Sequence, residues 1–287
     1  FGILRLGAMS EFFPATALQG MLAAIGVGIL AKQFHIMLGI RSVSGGTIEQ
    51  LLAIPDSFLN FLAFHPFSGI LGFLSLVFLF LYSRIRNPYF HLIPAPMWVV
   101  VVSIAVGYYY NLILKQPTPI DPELLIKIPD QLFTSLPRPN FNKWFDLNFL
   151  GVVLSITLVA NIESLLSIKA VDKLDPKKRR SNVNKDLRAL GLASIVSGFL
   201  GGLNVVTVIA RSSVNVNNGG SNRSANFFHA AFLVLFVVFL GEQIQRIPLT
   251  VLAAILVYTG VRLANPEHLL RIYKIGPEQA IIFVVTL

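Results

Sequence analysis

Residues 147–170 read Leu-Asn-Phe-Leu-Gly-Val-Val-Leu-Ser-Ile-Thr-Leu-Val-Ala-Asn-Ile-Glu-Ser-Leu-Leu-Ser-Ile-Lys-Ala. A hydrocarbon layer about 30 Å thick is crossed by a helix of roughly 20 mainly apolar residues. This run has that length and carries one carboxylate, Glu163, well inside it. Working outward, the rest of the chain has the same character: 54% of its 287 residues are hydrophobic, 13% are charged and the mean hydropathy is +0.70, outside the range of ordinary soluble domains. In lipid, backbone N–H and C=O groups must be satisfied within the protein. Apolar runs of this kind are therefore read as helices, and the fold class as an all-α membrane protein.

Apolar runs bounded by Pro, Gly and charge predict eight membrane elements, at residues 12–38, 68–83, 93–114, 147–170, 187–202, 203–220, 224–241 and 247–264. Residues 1–11 read as the end of an earlier span and 277–287 as the start of a later one, so the chain is expected to be part of a longer protein. Alternating the spans puts fifteen of the 23 Lys and Arg residues on one side and seven on the other, with Arg211 left in the membrane. The richer side is cytoplasmic by the positive-inside rule. The stretch from Lys169 to Arg188 is then a cytoplasmic loop of a multi-pass protein in the cell membrane. On the outer side, residues 47–64 are too polar to span and read as an interfacial helix. Residues 115–146, with Pro117, Pro119, Pro122, Pro129, Pro137 and Pro139, read as an outer loop.

A charge inside a span is costly, which makes Glu163 and Arg211 the residues to explain. Ser167 follows Glu163 by four positions and shares its helical face; carboxylate and hydroxyl together suit a proton or a sodium ion. Arg211 sits in a segment of mixed character. Residues 205–209 are all β-branched and favour extended backbone, whereas residues 210–218 suit a short helix ending at Gly219 and Gly220. A half-helix starting at mid-membrane aims free N–H groups and its positive dipole end at an anion, and broken helices of this kind form midplane sites in transporters. The expected anion site is Ile209, Ala210, Arg211 and Ser212, and the expected coupling-ion site is Glu163 and Ser167. The alternative for the two charges is a structural ion pair.

Other classes find less support. The chain has no cysteine, its five His residues show no metal-ligand spacing, and neither G-x-S-x-G nor H-E-x-x-H occurs. No enzyme, no cofactor and no resident metal site is expected, beyond sodium or a proton as coupling ion. The net charge of +9 comes from basic residues between apolar runs, not on an aromatic-rich polar face, which argues against nucleic acid. Residues 177–180, Lys-Lys-Arg-Arg, read as a topology signal or lipid-headgroup contact, and His229 as a packing residue.

Several stretches resemble the sulfate permease (SulP) family of anion transporters. Residues 1–20 and Gln33 resemble that family's fourth-to-fifth helix region, Asn161-Ile-Glu-Ser-Leu-Leu-Ser167 its eighth helix, residues 184–202 its ninth and residues 210–220 its tenth. The resemblance implies fourteen helices in two inverted seven-helix repeats, divided into a core and a gate domain, with a short strand leading into a broken helix at the substrate site. Residues 1–287 would hold about helices four to thirteen, without the family's cytoplasmic STAS domain. Also implied is secondary active transport by alternating access, coupled to protons or sodium at Glu163. The substrate would be sulfate, bicarbonate, chloride or a small dicarboxylate, and the assembly a homodimer in lipid. An uncoupled exchanger or a channel-like anion pathway would use the same dipoles and basic residues. In one departure, Asn204 stands where many relatives have Pro.

Overall fold

The computed structural model describes residues 1–7, 15–40, 43–85, 94–115, 117, 119–128, 136–142, 145–217, 219–264, 278 and 281. In chain order the helices are α1 (Ala15–Met37), α2 (Thr47–Leu52), α3 (Ile54–Phe64), α4 (Pro66–Arg84), α5 (Ala95–Tyr108), α6 (Leu147–Leu174), α7 (Val183–Phe199), α8 (Ile209–Asn217), α9 (Ser224–Phe239), α10 (Gly241–Gln245) and α11 (Leu249–Leu263). Helix α5 runs on through a wider turn at Tyr109–Ile113. Among the described residues, three stretches are long and apolar enough to cross a membrane, Pro66–Arg84, Ala95–Ile113 and Leu147–Asp172; Ala23–Met37, Ser224–Phe239 and Leu249–Leu263 are apolar but shorter.

Local chemistry sets the ends of the helices around the site. The Asp146 carboxylate accepts the Asn148 N–H at 2.9 Å and starts α6; the Asn182 side chain accepts the Lys185 N–H at 3.2 Å and starts α7. Each satisfies a donor that the first turn leaves unpaired. Helices α7 and α8 end alike. Gly201 and Gly219 both adopt φ of +78°, open to glycine at little cost. After α7, Gly201 N–H donates to Gly198 C=O at 3.1 Å and Gly202 N–H to Ser197 C=O at 2.7 Å. After α8, Gly219 N–H donates to Val216 C=O at 3.0 Å and Gly220 N–H to Asn215 C=O at 2.8 Å. The glycine pairs are thus two copies of one helix stop.

Three expected boundaries shift. The stretch from Lys169 to Arg188 is largely helical: α6 continues to Leu174, α7 begins at Val183, and only residues 175–182 link them. The chain leaves α6 where the Asp175 carboxylate accepts the Arg179 N–H at 3.0 Å. Residues 47–64 form two helices, not one. The break falls at Ala53 because Pro55, in the first turn of α3, has no N–H to donate and its ring would collide with the preceding turn. Residues 203–220 contain no spanning helix: 203–208 lie outside any helix and α8 has nine residues. The start of the 12–38 span, residues 12–14, lies outside the described residues.

The chain folds as two compact units. One comprises Phe1–Ala15 and Pro129–Leu233, the other Thr16–Ile128 and Val234–Leu287. In the second unit Met37 and Leu38 pack against Ala253, Ala254 and Val257, and Leu79 packs with Val99 and Val251. Small residues permit the close approach: a Cβ added at Gly72 would collide with the Met37 carbonyl oxygen. His35, 1% exposed, joins α1 to the short helices through Ser57 Oγ at 2.7 Å and the Gln50 carbonyl at 2.9 Å. A carbonyl only accepts, so Nε2 is assigned the proton and Nδ1 takes the Ser57 hydroxyl. In the first unit, Arg188 Nε donates to Gly2 C=O at 3.0 Å and Gly7 N–H to the Asn184 side chain at 3.0 Å, tying the first residues to α7.

Candidate functional site

Residues 164–168 of α6 are buried one after another: Ser164 is 2% exposed, Leu165 1%, Leu166 6%, Ser167 3% and Ile168 5%. Five consecutive residues cover every side of a helix, so this turn is enclosed all round. Glu163 stands at its entrance, half-buried, with Ser167 one turn on. No ion pair joins Glu163 to Arg211 among the described residues, and Arg211 is exposed. The structural ion pair therefore does not form in this conformation.

The segment before α8 is held by side chains. Thr207 N–H donates to Ser164 Oγ at 3.3 Å, Val205 N–H to Ser194 Oγ at 3.0 Å, and Ser197 Oγ to Leu203 C=O at 2.7 Å. A cavity of about 180 Å³ beside it is lined by Asn161 and Ser164 of α6, Ser194 of α7, and Asn204 and Val205. A second, about 270 Å³, is bounded by Ser181, Asp186 and Thr207. Neither of these two cavities is lined by Glu163 or Arg211.

Helix α8 begins with Ser212 N–H donating to Val208 C=O at 3.2 Å, its first intrahelical bond. The N–H groups of Ile209, Ala210 and Arg211 then have no acceptor within the helix, and the positive end of the dipole lies with them. Ser212 differs from expectation in one respect: its hydroxyl donates to Val208 C=O at 3.0 Å, so that proton is engaged in this conformation. Sequence reasoning passed over Ser164, Ser194 and Ser197. The available signal was the spacing of Ser194 and Ser197, three apart on one helix and just ahead of a β-branched run.

The sequence profile of the sulfate permease family matches residues 1–286. The chain belongs to that family. As a sulfate permease family member it is one of a family of membrane transporters, not of enzymes. The bicarbonate transporter BicA of Picosynechococcus is 25% identical over 285 residues, a stretch covering 98% of this chain and 48% of the relative. The putative sulfate transporter YbaR of Bacillus subtilis is 22% identical over 300 residues, covering 94% of this chain and 60% of YbaR. The chain thus spans about half the length of the first of these curated relatives. The solved transmembrane domain of a cyanobacterial BicA superposes with a TM-score of 0.80 at 22% identity, over 100% of this chain and 69% of that one. The mostly helical fold of such transmembrane domains is therefore the fold of this chain.

Proposed function

We propose that the full protein is a secondary active transporter of a small anion, of the sulfate, bicarbonate or small dicarboxylate class, coupled to protons or sodium and working by alternating access. The observation that carries the reading is the Ser164–Thr207 hydrogen bond, which sets the turn holding Glu163 and Ser167 against the segment leading into α8. The free N–H groups of Ile209, Ala210 and Arg211 and the Arg211 guanidinium attract an anion. The Ser212 hydroxyl joins them once it leaves Val208 C=O. Glu163, with Ser167 beside it, takes the proton or sodium ion. A cation at Glu163 and an anion at the start of α8 carry opposite charges and attract each other, which favours their moving together. The unit containing α6, α7 and α8 is assigned the role of mobile core, the unit containing α4, α5 and α11 that of gate. The basic tally puts residues 175–182 in the cytoplasm. By resemblance alone, the protein is a homodimer in the lipid of the cell membrane.

The test is Glu163→Gln in the full-length protein, reconstituted in vesicles with radiolabelled sulfate or bicarbonate. The substitution removes the titrating charge and preserves shape. Uptake should lose its dependence on the cation gradient while anion counterflow persists; gradient-driven uptake equal to the parent's would make Glu163 structural. Ser181→Cys, as the orientation marker, should label only from the cytoplasmic side.

A further inference from the structure

Ser164 is the immediate neighbour of Glu163 on α6, and its hydroxyl holds the peptide N–H of Thr207, two residues before α8 begins. Ser194 and Ser197 hold the same segment at Val205 and Leu203. The contacted residues, 203, 205 and 207, alternate along the chain. Three hydroxyls from two helices thus hold alternate residues of this non-helical segment. Two of them belong to α7. The third, Ser164, sits on the helix that bears Glu163.

We infer that Ser164 is a positioning residue that transmits the charge state of Glu163 to the anion-binding start of α8, an inference that rests on the transport reading above. The path is short: Glu163 and Ser164 share a peptide bond, and the Ser164 hydroxyl bonds the third N–H before that of Ala210. The turn around Ser164 is enclosed, with every residue from 164 to 168 under 7% exposed, so it moves as a body when Glu163 gains a proton or a sodium ion. Leaving the part-buried Thr207 N–H without its acceptor costs stability, so Thr207 follows Ser164. The N–H groups of residues 209–211 then change their aim. Such coupling is reciprocal: a cation that raises anion affinity by some factor has its own affinity raised by the same factor. Loss of the Ser164 hydroxyl reduces that factor while leaving Glu163, Arg211 and the α8 terminus chemically intact.

The test uses the full-length protein in vesicles, with radiolabelled sulfate and bicarbonate as probes and imposed sodium or proton gradients. In the parent, the KM for the transported probe falls when the coupling cation is supplied. In Ser164→Ala, the factor by which it falls is smaller by up to about tenfold, the limit for one neutral hydrogen bond. Ser164→Thr, which keeps the hydroxyl, restores the parent's response. Ser197→Ala, which loosens the same segment away from α6, lowers thermal stability but keeps the cation-dependent fall in KM. Ser164→Cys, similar in volume and a weaker acceptor, falls between alanine and parent, and it carries the test if the alanine variant does not fold. A folded Ser164→Ala or Ser164→Cys protein with the parent's cation dependence overturns the inference and leaves coupled transport standing. A parent whose KM for neither probe responds to either cation overturns the coupled-transport reading, and the inference with it.

Discussion

In the unit formed by Thr16–Ile128 and Val234–Leu287, helices meet over apolar and small residues: Met37 and Leu38 lie against Ala253, Ala254 and Val257, and Gly72 brings α4 to the Met37 carbonyl. In the unit formed by Phe1–Ala15 and Pro129–Leu233, the segment 203–208 rests on serine hydroxyls. The linker 175–182 of that unit is folded by carboxylates. Asp172 accepts the Ser181 hydroxyl at 2.6 Å, Asp175 takes the Arg179 Nε at 2.7 Å and Nη2 at 3.1 Å, and Arg179 reaches the Ser221 carbonyl at 3.3 Å. Dispersion and shape complementarity hold the first arrangement and change little with pH or ionic conditions. Hydrogen bonds to hydroxyls and carboxylates hold the second and can be exchanged for bonds to an ion. A transporter needs both, a part that keeps its shape and a part that responds to what it binds.

Glycine substitutions should separate the two units most sharply. Gly72→Ala drives a methyl into the Met37 carbonyl, which is backbone and cannot rotate away, and is expected to cost about 3 kcal/mol, the upper range for overpacking. Gly151→Ala on α6 meets nothing within 4 Å and gains helix propensity, up to about 1 kcal/mol of stabilisation. Thermal melts of the purified full-length protein check both signs; equal effects would break the comparison.

A smaller effect concerns the linker. Hydrogen bonds from the Arg179 side chain hold the Asp175 carboxyl well below the usual carboxylate range. A depressed folded pKa stabilises the fold above the unfolded value of about 3.9, and the contribution is lost as pH falls through the lower folded value. Asp175→Asn should therefore speed amide exchange in residues 177–181 at neutral pH, modestly because the Arg179 end of the pair is exposed, and the difference from the parent should shrink under strong acid. A difference that grows on acidification would reverse the assignment.

Much of this could be read from residue types. The helix stop at Gly219 and the place of Glu163 in a long apolar helix both follow from local chemistry. The extra turn of α6 was hidden because Val171, Asp172, Lys173 and Leu174 mix apolar with charged residues, and hydropathy marks where lipid ends, not where helical hydrogen bonding ends. Pro55, with no N–H to donate, is the local signal for the break between α2 and α3. His229, expected to pack, is exposed on α9, while His35, with nothing in its neighbours to mark it, is buried and bonded at both ring nitrogens. Beyond the spacing of Ser194 and Ser197, the hydroxyls had no signal, and that of Ser164 was illegible for a related reason. A serine in an apolar helix looks the same whether it bonds its own helix, as Ser155 does with the Gly151 carbonyl, or a segment 43 residues away, as Ser164 does with Thr207.

The central claim is that the anion binds at the start of α8, and equilibrium anion binding to the full-length protein tests it most directly. Arg211 lies in the first turn of α8, whereas Arg223 lies beyond its glycine stop. Nine helical residues span roughly 13 Å, more than the screening length of about 8 Å at physiological ionic strength. Arg211→Ala should weaken sulfate or bicarbonate binding by about tenfold or more, the loss of one charge-assisted contact, and Arg223→Ala by less than about twofold. If folded Arg211→Ala, alone and combined with Glu163→Gln, binds both anions as tightly as the parent, the anion site lies elsewhere.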